Sequence, residues 1–190
     1  IGEAYFLRSN YYFSLVTNFG DVPLILAPVK TYQEAFDFAV RSPKEEVWNQ
    51  IKTDLGKAKT LLPNSKYGSN TEKWRVSKGA VIALLAKTAL YNKDWATVIT
   101  LVSELETTGF YSLNTNYFDN FSVNTEYSDN EVIFSYNHVQ QADPRRGNGI
   151  CAPLGWGFFA PSQDFLNSFE PNDPRKLYTV NAPEQWINKL

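Results

Sequence analysis

The chain has 190 residues, enough for one domain with a real core and too few to require two. Hydrophobic residues make up 43% and charged residues 20%, and a net charge of −2 without a Lys/Arg-rich run argues against nucleic acid as the main partner. One cysteine, Cys151, and one histidine, His138, exclude an internal disulfide, a four-thiolate metal site and a multi-histidine zinc site.

Glu3 to Asn18 reads as a helix, with Ala4, Leu7, Tyr11, Leu15 and Phe19 on one stripe and Tyr5, Tyr12 and Val16 widening it. Gly20 suits the left-handed position after its end. Asp21 to Pro28 is extended, because Pro23 and Pro28 block helix. A second helix opens at Ser42-Pro43, with Glu45 completing an S-x-x-E capping box. Val47, Ile51, Leu55, Ala58 and Leu62 mark its apolar face, and Pro63 ends it.

Lys66 to Glu72 is a polar loop. Ser77 to Asn92 is then apolar nearly all round, which places it at the centre of a helical domain. Asp94 caps a further amphipathic helix bearing Trp95, Val98, Ile99, Val102 and Leu105, closed by Gly109. The short link at Lys93 makes these two an antiparallel hairpin, similar to a tetratricopeptide unit. Trp74 and Trp95 are expected to pack within it.

After Gly109 the character changes. Residues 110–130 are rich in Asn, Ser, Thr and aromatics and read as irregular chain. Glu131 to Tyr136 is a strand candidate, Gln140 to Gly157 a loop, and Pro161 to Phe169 a last short helix before a turn at Asn172-Asp173-Pro174-Arg175. The longest apolar run, Ala80 to Ala86, is far too short to span a membrane. The chain opens at Ile1-Gly2-Glu3 with no initiator Met, signal peptide or lipobox, so it is expected to be a fragment of a longer protein.

Several of these segments, in order, resemble the SusD/RagB family. They are "GEAYFLRSNYYFSLVTNFGDVPLI" (Glu3, Ala4, Arg8, the Tyr11–Phe13 cluster and the Gly20-to-Pro23 exit), "RSPKEEVWNQIKTDLGKAKTLLP", "RVSKGAVIALLAKTALYNKDWATVI", "GFYSLNTNYFDNF", "NEVIFSY" and "SFEPNDPRKLYTV". The resemblance implies a mostly α fold of tetratricopeptide-like hairpins, with a loop-rich C-terminal part carrying short strands. Residues 1–109 would be the helical part and 110–190 the ligand-binding part of one domain. It also implies a lipid-anchored, non-catalytic protein on the outer face of the bacterial outer membrane. Such a protein captures glycan for a TonB-dependent porin, and no cofactor is implied.

Aromatic residues reach 15% of the chain, a load that serves either core volume or sugar-stacking surface. The best binding candidate is "GICAPLGWGFFAP", where Trp156, Phe158 and Phe159 sit among glycines on a loop. Plugging the loop onto the helical core is the plainer use of the same rings. Gly155 to Ala160 fits G-x-G-x-x-A formally, but Pro161 and the bulky rings deny it the helix that a dinucleotide site needs. His138 and Arg145 are candidate hydrogen-bond donors to a sugar, although Asp143-Pro144-Arg145 reads first as a turn. Glu126, Asp129 and Glu131 beside Asp119 could serve hydrolysis or calcium, and are more simply solvated turn acids. Glu3 and Arg8 are expected to pair between helices.

Glycan binding is therefore the leading expectation. A tetratricopeptide-type scaffold for a protein partner and a glycan-cleaving enzyme are the alternatives. The enzyme would need a carboxylate pair that the sequence does not clearly offer.

Overall fold

The computed structural model describes residues 1–69, 71–121, 129–136 and 161–176. The chain divides into two compact units, residues 1–136 and 137–190. Five α-helices are described in the first: α1 (Gly2–Phe19), α2 (Tyr32–Asp37), α3 (Lys44–Leu61), α4 (Lys78–Tyr91) and α5 (Trp95–Thr107). A 3-10 turn follows at Tyr117–Phe121. The described part of the second unit contains α6 (Gln163–Asn167).

Four helices carry the packing of the first unit: α1 lies on α3, α3 on α4 and α4 on α5. The core is built where they meet. Phe6, Phe13 and Val16 from α1 close on Val47, Ile51, Leu55 and Ala58 from α3 and on Ala80, Val81 and Leu84 from α4. Burial of this apolar surface supplies the main stabilisation, at about 25 cal/mol per Å². Phe13 touches both neighbours, edge to face with Trp48 of α3 at 5.5 Å and with Tyr91 of α4 at 5.0 Å. Helix α4 buries residues on several sides, Val81, Ile82 and Thr88 among them, as its all-round apolar sequence requires.

The apolar stripe expected on α1 is only partly right: Tyr12 and Val16 are buried and Tyr5 and Leu7 pack on the core, but Tyr11, Leu15 and Phe19 are exposed. Buried residues are Gly2, Phe6, Ser9, Tyr12, Phe13 and Val16, whereas Tyr11 and Phe19 are 60% and 64% exposed. Ser9 explains the choice. It lies fully buried against α3, where its hydroxyl bonds back to the Tyr5 carbonyl at 2.9 Å, and only a small side chain permits that approach. Trp95 is likewise not a packing residue but 58% exposed, and Trp74 is also exposed. Helix α5 buries Leu101 alone.

Caps at the helix starts follow the sequence with one exception. Ser77 accepts from the Ala80 amide and Asp94 from the Thr97 amide. Lys93, at φ 60°, turns the chain between α4 and α5, and Gly20 and Gly109 have φ of 68° and 67° after α1 and α5. The exception is α3, whose cap position is Pro43, so Ser42 does not close the expected box. Its backbone is instead drawn into an antiparallel bridge with Val22, one residue too early for its hydroxyl to cap. The cap comes from across the loop: Lys44 N–H donates to Asp21 Oδ1 at 2.9 Å.

Those two contacts pinch the neck of a long loop between α1 and α3. The Tyr12 hydroxyl clamps its first arm, accepting from Ile25 N–H at 2.7 Å and donating to Ile25 C=O at 3.1 Å. Arg8 also donates to the Leu26 carbonyl at 3.2 Å. At the far end, α2 buries no side chain.

Ion pairs tie the helices together as expected for Arg8 and Glu3. Arg8 of α1 pairs with Asp54 of α3, and Glu3 of α1 with Arg75 before α4. Lys59 of α3 reaches Glu104 of α5 at 2.6 Å. Glu131 to Tyr136 is not a strand: a strand needs a ladder partner, and this segment lies on the helices with Ile133 and Phe134 against the core. Among the described residues the Val22–Ser42 bridge is the sole β pairing.

In the second unit, Ser162 caps α6 by accepting from Phe165 N–H at 3.2 Å, and Phe165 meets Phe169 edge to face. The expected turn follows, with Asn172 at φ 65°. Asp173 accepts there from the Arg175 guanidinium and then from its backbone N–H, bonds that hold its carboxyl below the usual range.

Candidate functional site

An aromatic ladder runs outward from the core of the first unit. Phe6 is buried and meets Phe134 edge to face at 5.1 Å, and Phe134 meets Tyr136 in the same way at 5.4 Å. Tyr136 therefore stands at the surface on a packed column of rings. Its hydroxyl accepts a hydrogen bond from Asn10 Nδ2 on α1. Burial, and then the nearby Tyr11, raise the pKa of the Tyr136 hydroxyl, which stays protonated and available to donate. Beside it, Tyr11 projects from the exposed face of α1. Exposed rings next to an amide and a phenol can stack on a flat apolar face and hydrogen-bond its polar edge.

Sequence reasoning missed this group because it assigned Tyr11 to the core and read residues 131–136 as a strand. The available signal was that α1 carries aromatic residues on more than one face, so one face had to remain open.

Trp156, Phe158, Phe159, His138 and Arg145 lie outside the described residues, as does Glu126. Of the acids weighed with Glu126, Asp129 is buried and not solvated. It accepts from Asn114 Nδ2 at 2.8 Å and from Glu131 N–H at 2.7 Å. Glu131 in turn accepts from Asn114 N–H at 2.7 Å. Together these bonds fix the chain around residues 114 and 130, satisfying backbone groups that lack a helix or sheet partner. Asp119 is exposed and accepts from Asn116 Nδ2 at 3.1 Å. Among the described residues, no three His, Cys, Asp or Glu side chains gather as a metal site. No described helix is long and apolar enough to cross a membrane.

The helical frame and the sequence are both similar to those of SusD-like proteins. Residues 1–90 match the family model SusD-like_3, described as starch-binding and associating with the outer membrane. SusD-like protein P2 of Formosa agariphila is 29% identical over 95% of this chain. The chain spans 38% of that relative's length. In structure, a SusD-like carbohydrate-binding protein from Bacteroides fragilis superposes with a TM-score of 0.76 at 28% identity, over 92% of this chain and 36% of its own. A laminarin-binding SusD-like protein gives a TM-score of 0.64 at 29% identity, over 74% of this chain and 31% of its own.

Proposed function

We propose that the protein of which this chain is part binds an oligosaccharide or polysaccharide at the bacterial surface without cleaving it, and hands it to a TonB-dependent porin in the outer membrane. The observation that carries this reading is likeness in both sequence and fold to a SusD-like carbohydrate-binding protein. In it, Trp156, Phe158 and Phe159 provide the stacking platform, while His138 and Arg145 hydrogen-bond sugar hydroxyls. A lipid anchor outside these residues holds the protein on the outer face of the outer membrane. Binding of this kind needs shape and hydrogen bonds, not a nucleophile or a proton-transfer pair.

Isothermal calorimetry of the full-length protein against a panel of soluble glycans tests it, with Trp156→Ala as the variant. Expected is saturable binding that falls by about tenfold or more in the variant while circular dichroism stays unchanged. A folded wild-type protein that binds no glycan in the panel would sink the reading. Product release from any bound glycan would replace it with the enzymatic alternative.

A further inference from the structure

The loop between α1 and α3 presents an aromatic surface that packing does not explain. On α2, Tyr32 and Phe36 lie one turn apart and meet edge to face, their ring centroids 5.0 Å apart and their planes at 75°. Both are exposed, Tyr32 at 82%, so neither serves a core. Six-residue helices are marginal on propensity alone. This one is fastened at its start: Thr31 accepts from Glu34 N–H at 3.2 Å, and the Glu34 carboxylate accepts from Lys30 N–H at 2.7 Å. The neck of the loop is closed at Val22–Ser42 and Asp21–Lys44, and both rings face solvent at its tip. Contiguous exposed apolar surface on a held element marks a binding site.

The flank of the pair is polar and electrically balanced. Gln33 Nε2 donates to Asp37 Oδ1 at 3.1 Å beside the rings. Between Val22 and Ser42 the charges are Lys30 and Arg41 against Glu34 and Asp37, which cancel. We infer that Tyr32 and Phe36 form a stacking platform for an uncharged glucan chain, with Gln33 and Asp37 hydrogen-bonding its hydroxyls. The inference rests on the carbohydrate reading above and adds a contact separate in sequence from residues 156–159. Starch and laminarin, named for the family model and for one similar structure, are both uncharged glucose polymers. Pyranose rings have an apolar face of C–H groups that lies flat on an aromatic ring, and hydroxyls at the edge that meet amide and carboxylate. A polyanionic chain would gain nothing from a loop with no net charge.

The test is calorimetry of the full-length protein with laminarin and with soluble starch, comparing wild type, Trp156→Ala and the double variant Tyr32→Ala/Phe36→Ala. Both rings are exposed, so the double variant should fold, with circular dichroism as the check. Expected is an affinity of the double variant for at least one polymer about tenfold below wild type. If the double variant binds both polymers as wild type does while Trp156→Ala is impaired, the α2 platform is overturned and the carbohydrate reading stands. If the wild type binds neither these nor any other glycan, both fall together.

Discussion

Arg8 on α1 grips Asp54 on α3 with two parallel bonds, Nε to one carboxylate oxygen at 2.7 Å and Nη2 to the other at 2.8 Å. The two ends of the pair differ in exposure: the Asp54 side chain is 1% exposed and that of Arg8 30%. Gln50 supplies a further bond to Asp54 at 2.9 Å. The carboxylate thus sits inside the helix pair and the guanidinium at its edge, with hydrogen bonding to Asp54 chiefly raising the Arg8 pKa. Removing the cation leaves a buried charge with one amide for company, whereas removing the anion leaves a cation that can turn to water. Arg8→Ala should therefore cost about 3 kcal/mol and Asp54→Ala about 1–2 kcal/mol in urea unfolding. Equal losses would show that water reaches Asp54.

Tyr12 determines whether the α1–α3 loop keeps its shape. Tyr12→Phe removes the acceptor for Ile25 N–H and should destabilise by about 1–2 kcal/mol. Hydrogen exchange localises the effect: the Ile25 amide should exchange faster while amides in the middle of α3 stay protected. Uniform acceleration in both places would place the role of Tyr12 in the global core and not in the loop.

Two glycines give opposite expectations. A Cβ on Gly68 would come within 2.6 Å of the Arg75 backbone, and its amide donates to the Arg75 carbonyl at 3.1 Å. Gly68→Ala must push apart a backbone contact that also positions Arg75 for Glu3, and should destabilise by about 1–3 kcal/mol. Gly56 lies in the exposed middle of α3 with nothing near its would-be Cβ. Gly56→Ala should stabilise by about 0.5–1 kcal/mol, by restricting the unfolded chain and favouring helix. Thermal melts of both variants decide the pair.

Asp94 gives the start of α5 a pH dependence. Its hydrogen bonds to Thr97, side chain first and backbone second, hold its pKa below the usual carboxylate range. A depressed folded value means that stability is fully present above about pH 4 and is lost as the pH falls through the folded value. Asp94→Asn keeps a good cap without the titration. The stability difference between wild type and this variant should move in favour of the variant from pH 6 to pH 2.5. A difference that stays flat over that range would show that the carboxylate charge adds nothing at this cap.

Most of the helical frame was legible because its signals are local. Pro63 and Gly109 end helices, Ser77 and Asp94 begin them, and the period of Val47, Ile51, Leu55 and Ala58 points one way only. For α1 the same periodicity succeeded only in part. Its many aromatic residues allow more than one stripe, and the buried one is selected by Ser9, a polar residue whose merit is small size against α3. The cap of α3 was illegible for a related reason: Asp21 and Lys44 meet only after the loop has closed. Residues 131–136 carry strand-like composition but have no strand to pair with among the described residues. Of the candidate site, the sequence indicated aromatic residues as its substance, yet Asn10 and Tyr136 are brought together by the folding of distant segments.

The pinch at Val22–Ser42 separates the inheritance of the helices from that of the loop they hold. Once the neck is closed, a longer or shorter tip changes the closing entropy only logarithmically, by about 0.6 kcal/mol for each doubling of length. Helices α1 and α3 keep their ion pair, cap and core whatever sequence occupies the tip. Residues 27–40, beyond the Tyr12 and Arg8 contacts, are thus an exchangeable cassette on a fixed scaffold. Transplanting the corresponding stretch from a similar SusD-like protein between Leu26 and Arg41 should leave the melting temperature nearly unchanged.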